Sequence, residues 1–181
     1  RALEEAIENF AGCAVVITRA GETLLARGYG LADLEHGVAC TPQTVFRLAS
    51  VTKVFTAAAV LRLCEQGKLR LDGKVSDYLP DYPAPGRDAT LAQLLSHTAG
   101  VPDYLEREDS MRWVRGEFTT AQLLAAFQDR PLQFAPGAAS RYSNSGYVLL
   151  GAVLERQSGH DLGAVLRDEV FTPAAMPHSH Y

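Results

Sequence analysis

The hydrophobic pattern divides the chain into a short extended stretch near its start and a long helical remainder. Leu3, Ala6, Ile7 and Phe10 have the spacing of a short amphipathic helix over residues 2–10. Gly12 breaks it. Residues 13–18, Cys-Ala-Val-Val-Ile-Thr, then read as a strand, residues 19–22 as a turn, and residues 23–30 as a second strand. Together they predict an antiparallel hairpin. Two strands alone are marginally stable, so this hairpin calls for further strands or a helix against it.

Residues 50–66 contain neither Gly nor Pro and stop at Gly67, a natural helix C-cap. They predict one helix of about 25 Å. Its apolar positions, among them Val51, Val54, Phe55, Val60, Leu61 and Leu63, point nearly all round, which predicts a buried helix. Residues 68–74 read as a polar turn, and Pro80, Pro83, Pro85 and Gly86 make residues 80–88 a loop. A short helix follows over residues 90–95, then an irregular charged stretch over 103–118. Thr119 and Gln122 have capping-box spacing and open a helix to about Asp129, ahead of Pro131. Pro136-Gly137 is a turn. Residues 146–157 form a mostly apolar helix closed by Ser158-Gly159, and Asp161 can cap a last helix to about Phe171. The pattern is that of an α+β chain, with a helix and sheet hairpin over residues 1–48 and a mostly helical lobe over 49–181, in one domain.

Composition narrows the function classes. A chain of 181 residues fits one domain and buries roughly 70% of its unfolded surface. A net charge of −4 without a basic cluster argues against a nucleic-acid partner. No apolar run reaches the length of a membrane span. The chain starts at Arg1 rather than Met, so a leader upstream stays open. Cys13, Cys40 and Cys64 are odd in number and lack C-x-x-C spacing, as expected of free thiols. His160, His178 and His180 show no ligand spacing, so no metal and no cofactor is expected, and the last two read as a solvated tail.

The chemistry concentrates at the start of the long helix. Ser50 and Lys53 lie three residues apart and therefore share a face. The helix start adds free N–H groups and positive dipole, where an oxyanion beside Ser50 would be stabilised. The blander reading is an N-cap serine followed by a snorkelling lysine. A serine hydroxyl needs a base to become a nucleophile. Lys53 with its pKa lowered by burial would serve. His97 reads as a ring bonding loop backbone, Asp72 and Asp103 as turn residues, and Tyr104 and Trp113 as loop packing or the lining of a substrate mouth. No G-x-S-x-G elbow is present, against an α/β-hydrolase.

Several stretches taken together resemble one family. Ser50-Val51-Thr52-Lys53 is similar to the S-x-x-K signature of serine β-lactamases and penicillin-binding proteins. The likeness is greatest to the group of class C β-lactamases, D-Ala-D-Ala carboxypeptidases and β-lactamase-like esterases. Residues 28–33 and 41–47 look like that group's approach to the nucleophile. Residues 94–104, Leu-Leu-Ser-His-Thr-Ala-Gly-Val-Pro-Asp-Tyr, are similar to its L-L-x-H-T-S-G-L-P-D segment, and Tyr142-Ser143-Asn144 matches its Y-x-N element.

The resemblance implies a β-lactamase/transpeptidase-like fold and a serine hydrolase acting through an acyl-enzyme on Ser50. Either Lys53 or Tyr142, the latter as a phenolate favoured by the ammonium, would be the base, the two titrating as one unit, and Asn144 would bind a substrate amide. It leaves three substrate classes open: a β-lactam, a D-Ala-D-Ala peptide or a small ester. The first two imply a periplasmic or secreted protein, and an esterase implies a cytoplasmic one. The family's third element, a K-T-G or H-x-G strand with a second oxyanion donor, is not found after residue 144. The expectation is therefore an incomplete domain without the C-terminal strands, weakly active alone, prone to self-association or to binding a complementing C-terminal segment. The rival reading is a non-catalytic binding module.

Overall fold

The structure, a computed structural model, describes residues 11–83 and 85–181. The helix expected over residues 2–10 lies outside them. The chain divides into two compact units, Arg1–Ala49 and Ser50–Tyr181.

The first unit holds a three-stranded antiparallel sheet in the order β1-β2-β3. β1 is Gly12–Arg19, β2 is Glu22–Asp33 and β3 is Val38–Ala39. The β1–β2 hairpin pairs Cys13 with Tyr29 and Val15 with Arg27. Its two-residue loop, Ala20-Gly21, has positive φ at both positions, the geometry that matches the twist of the flanking strands. β3 escaped the sequence analysis because two residues carry no alternation to read. The hairpin thus gains the further strand that its marginal stability called for. Cys13, Cys40 and Cys64 are free thiols.

The second unit is helical. A 3-10 turn, Ala49–Val51, begins in the first unit and leads into α1, Thr52–Glu65. Then come α2 (Val75–Tyr78), α3 (Leu91–Leu95), α4 (Ser110–Arg115), α5 (Thr120–Ala125), α6 (Asn144–Ser158) and α7 (Leu162–Leu166). A π-helical turn, Arg167–Phe171, continues α7. The expected caps are in place. Thr119 and Gln122 form a capping box, Asp161 accepts the Ala164 N–H, and Gly159 closes α6 at φ +74°. α6 starts two residues before the expected boundary, at Asn144, and α5 stops four before it, at Ala125. α2 is a single turn, too short for a periodic signal.

α6 is the centre of this unit. Leu149, Leu150, Val153 and Leu154 on it are fully buried, each contributing about 1.5–3 kcal/mol of hydrophobic stabilisation. α1, α2, α3, α5 and α7 all pack against α6. Phe55 of α1 meets Phe171 edge-on, with ring centroids 5.2 Å apart.

One expectation needs correction. α1 is not buried all round. Thr56, Ala59, Val60 and Leu63 face the core, but Val51, Val54 and Leu61 stand exposed, Val54 at 65%. Apolar residues on every face made the helix look enclosed. Its core contacts come from one face, and Ala57 and Ala58 present little side chain to bury on the others.

Candidate active site

Every side chain of the site belongs to the second unit. The 3-10 turn presents Ser50, and Lys53 follows one turn on, in the first turn of α1. Ala49, immediately before Ser50, has φ +46°, a left-handed conformation that a residue with a Cβ adopts only where its surroundings impose it. His97, φ +58°, is the other such residue here.

Tyr142 and Asn144 arrive from the far end of the sequence. Residue 142 belongs to the extended segment that leads into α6, and Asn144 is the first residue of that helix. The Ser50 Oγ lies 2.7 Å from the Tyr142 Oη, across 92 positions of sequence. Lys53 Nζ donates to Ser50 Oγ at 3.2 Å and to Asn144 Oδ1 at 2.7 Å. The same ammonium sits 4.9 Å from the centre of the Tyr142 ring and 5.6 Å from that of Tyr147, both within cation–π reach. Tyr142 Oη reaches Asn144 Oδ1 at 3.4 Å. The four residues singled out from the sequence are therefore brought into one hydrogen-bonded group.

The segment after α3 supports this group from behind. His97 bonds backbone, as expected, but the backbone is that of the Tyr142 stretch. Its Nδ1 accepts the Ser143 N–H at 3.2 Å, and its carbonyl accepts the Arg141 N–H at 2.9 Å. Its ring lies 4.6 Å from that of Tyr142 and 5.2 Å from that of Tyr147. Burial pushes the His97 imidazole below its ordinary value, and the Lys53 charge adds to this. Gly100, at φ +74°, lets the loop pass so close to Phe134 that a Cβ would overlap the Phe134 carbonyl oxygen. The Gly100 carbonyl accepts the Gln133 N–H at 2.8 Å there.

Asp103 is not the simple turn residue that the sequence suggested. It does cap the 3-10 turn Tyr104–Glu106, through Leu105 N at 2.9 Å. It is also buried, and it accepts both the backbone N–H and the side-chain Nδ2 of Asn144, at 3.1 and 2.8 Å. The signal was present in the sequence, since Asp103 matches the closing aspartate of the L-L-x-H-T-S-G-L-P-D segment that carried the resemblance. Asn144, expected to bind a substrate amide, thus has one amide hydrogen committed to Asp103 and its oxygen to Lys53.

Tyr142 is half exposed, so the hydroxyl pair opens to solvent. Burial raises the Tyr142 pKa, but the bonds from Lys53 and Ser50 and the Lys53 charge outweigh it. The phenol lies below its ordinary value as a result. Among the described residues no His, Cys, Asp or Glu cluster could hold a metal ion, and no helix is long and apolar enough to cross a membrane.

Fold and site define a class: an α+β protein that presents a serine to a lysine one turn away and to a tyrosine ahead of its central helix. The comparisons make the assignment. The family model described as Beta-lactamase matches residues 1–181, and the chain belongs to that family. A penicillin-binding protein from Bacillus halodurans is similar in structure, with a TM-score of 0.86 and 32% identity over 99% of this chain and 55% of that one. The D-amino acid amidase of Ochrobactrum anthropi SV3, solved with L-phenylalanine, gives a TM-score of 0.83 and 27% identity over 96% of this chain and 48% of that one. Among curated proteins, Protein flp of Staphylococcus aureus (strain MW2) is 30% identical over 93% of this chain. The chain spans 34% of that relative's length.

Proposed function

We propose that this chain carries the nucleophile site of a serine hydrolase that works through an acyl-enzyme on Ser50. The observation that carries the reading is the pair of partners on one hydroxyl. Lys53 can only donate, so it occupies a lone pair of Ser50 Oγ. The Ser50 proton is left to Tyr142 Oη, at 2.7 Å. A phenolate there is a base within reach of the proton it must take.

In the proposed reaction Tyr142, as phenolate, takes the Ser50 proton while Oγ attacks the substrate carbonyl carbon. The oxyanion forms beside the Ser50 N–H and the start of α1, where a developing negative charge is stabilised. Collapse breaks the bond to the leaving oxygen or nitrogen, which receives the proton back from Tyr142. A water then gives a proton to Tyr142 and attacks the acyl carbon. Ser50 leaves with that proton and the acid is released. Throughout, the Lys53 charge beside the ring favours the phenolate. While Tyr142 carries the proton, Asn144 Oδ1 is its acceptor.

The substrate has a carbonyl open to attack: a β-lactam, a D-Ala-D-Ala peptide or a small ester or amide. A penicillin-binding protein and an amidase among the similar structures support chemistry at such a carbon. The test is labelling by a fluorescent penicillin, and turnover of nitrocefin and p-nitrophenyl butyrate, with the adduct located by peptide mass. A Ser50 adduct that Ser50→Ala abolishes is expected. An adduct on another serine sinks the assignment. A folded chain that neither labels nor turns over any of the three is instead a binding module.

A further inference from the structure

We propose that Asp103 is a positioning residue of this site: it fixes the Asn144 amide so that oxygen, not nitrogen, faces Lys53. The inference rests on the reading of Ser50, Lys53 and Tyr142 given above, and deepens it.

The Asp103 carboxylate is held by groups that cannot turn away. Oδ1 accepts the Leu105 N–H at 2.9 Å, and Oδ2 accepts the Asn144 N–H at 3.1 Å. Both donors are backbone, and the second is a free N–H at the start of the 15-residue α6, an end that favours a negative charge. Arg130 donates to the Asp103 carbonyl at 3.2 Å and ties the residue down from the other side. Asp103 is 6% exposed, so water does not compete for these bonds.

The Asn144 side chain lies between this carboxylate and Lys53. A carboxylate receiving N–H bonds offers only acceptors, and an ammonium only donors. One orientation of the amide satisfies both: Nδ2 to Asp103 at 2.8 Å and Oδ1 to Lys53 at 2.7 Å. The flipped amide would set oxygen against oxygen and N–H against N–H. Asp103 therefore reaches the ammonium through Asn144, and through it the hydroxyl pair, without touching either.

Asp103→Leu separates this role from two simpler ones. A leucine has a similar shape and offers no acceptor to any of the donors, so the demand on the Asn144 amide is lost. If Asp103 only caps α6, the variant melts lower and Tyr142 titrates as before. If Asp103 acts only as a charge, removing it moves the Tyr142 titration down, since that charge opposes ionisation of Tyr142. If it positions Lys53 through Asn144, Lys53 loses its oxygen partner and drifts from the ring, and Tyr142 titrates higher.

The experiment follows phenolate absorbance of the full chain against pH, with Tyr142→Phe subtracted to isolate Tyr142. An upward shift in Asp103→Leu is expected, and an unchanged or downward one overturns the proposal. A second measurement needs no variant to fold. In the wild-type chain, exchange of the Asn144 side-chain amide hydrogens is followed by NMR. One of the two is expected to be slow, and two fast ones overturn the proposal. Neither readout requires activity, so failure to label Ser50 would count against the function and leave this test intact. With a substrate that does acylate Ser50, kcat falls in Asp103→Leu while KM changes little.

Discussion

His97 shows how a single side chain joins the reactive group to the stability of the fold. Its Nδ1 accepts the Ser143 N–H, so the ring must be unprotonated at that nitrogen. A histidine whose folded value lies below the unfolded one, ordinarily about 6.5, stabilises the fold when neutral. That contribution is complete above the unfolded value and is lost as pH falls through the depressed folded one. His97→Asn keeps an acceptor near the same place and tolerates the positive φ. Its melting temperature is therefore expected to decline less steeply than the wild type's as pH drops below about 6.5, and parallel declines would sink the idea. Tyr142 has the opposite charge logic. Its value is lowered, so the phenolate becomes more available as pH rises, on a limb centred below the usual tyrosine value. At this scale the sequence was partly legible. Ser50 and Lys53 are three apart, a spacing that put them on one face of the expected helix and within reach of each other. Tyr142 and Asn144, some ninety residues on, entered only through the family resemblance, because spacing carries no information across a fold. Asp103 was misjudged because an aspartate after a proline has the composition of a turn.

Among the elements, the loop after α3 does the most with the least regular structure. It passes Phe134 at Gly100, is tied to residues 133–137 by the Gly100–Gln133 and Thr98–Gly137 backbone bonds, and delivers His97 and Asp103 to α6. Gly100→Ala would have to hold a left-handed conformation, at about 1–2 kcal/mol, and would also drive a methyl into the Phe134 carbonyl. A loss of at least about 2 kcal/mol is expected in denaturant unfolding, and a variant as stable as the wild type would contradict the described path. Helices with capping boxes or glycine ends were readable because one or two residues set each boundary. α2 and β3 were not, because a single turn and a two-residue strand depend on partners distant in sequence. α1 was readable in extent and misread in burial, since an apolar residue states a preference and not its neighbours.

Across the whole molecule the two units differ in how much they bury. The helical unit holds the large core cluster, whose buried members among the described residues run from Ala59 to Phe171. In the first unit Cys40 is the one buried hydrophobic among the described residues, and the strands are intermediate or exposed throughout. Local opening is easiest where little apolar surface is covered. Amide hydrogen exchange should therefore be faster over Val15–Ile17 than over Leu149–Leu154. Equal protection in the two segments would mean that they open as one cooperative unit. α6 links this core to the proposed site, because the helix that begins with Asn144 continues directly into Leu149, Leu150, Val153 and Leu154. Selection cannot then act on reactivity and durability separately. Under pressure for turnover alone, lineages would reject changes at those leucines almost as firmly as at Asn144, and the residues inherited most faithfully would include several that never meet a substrate.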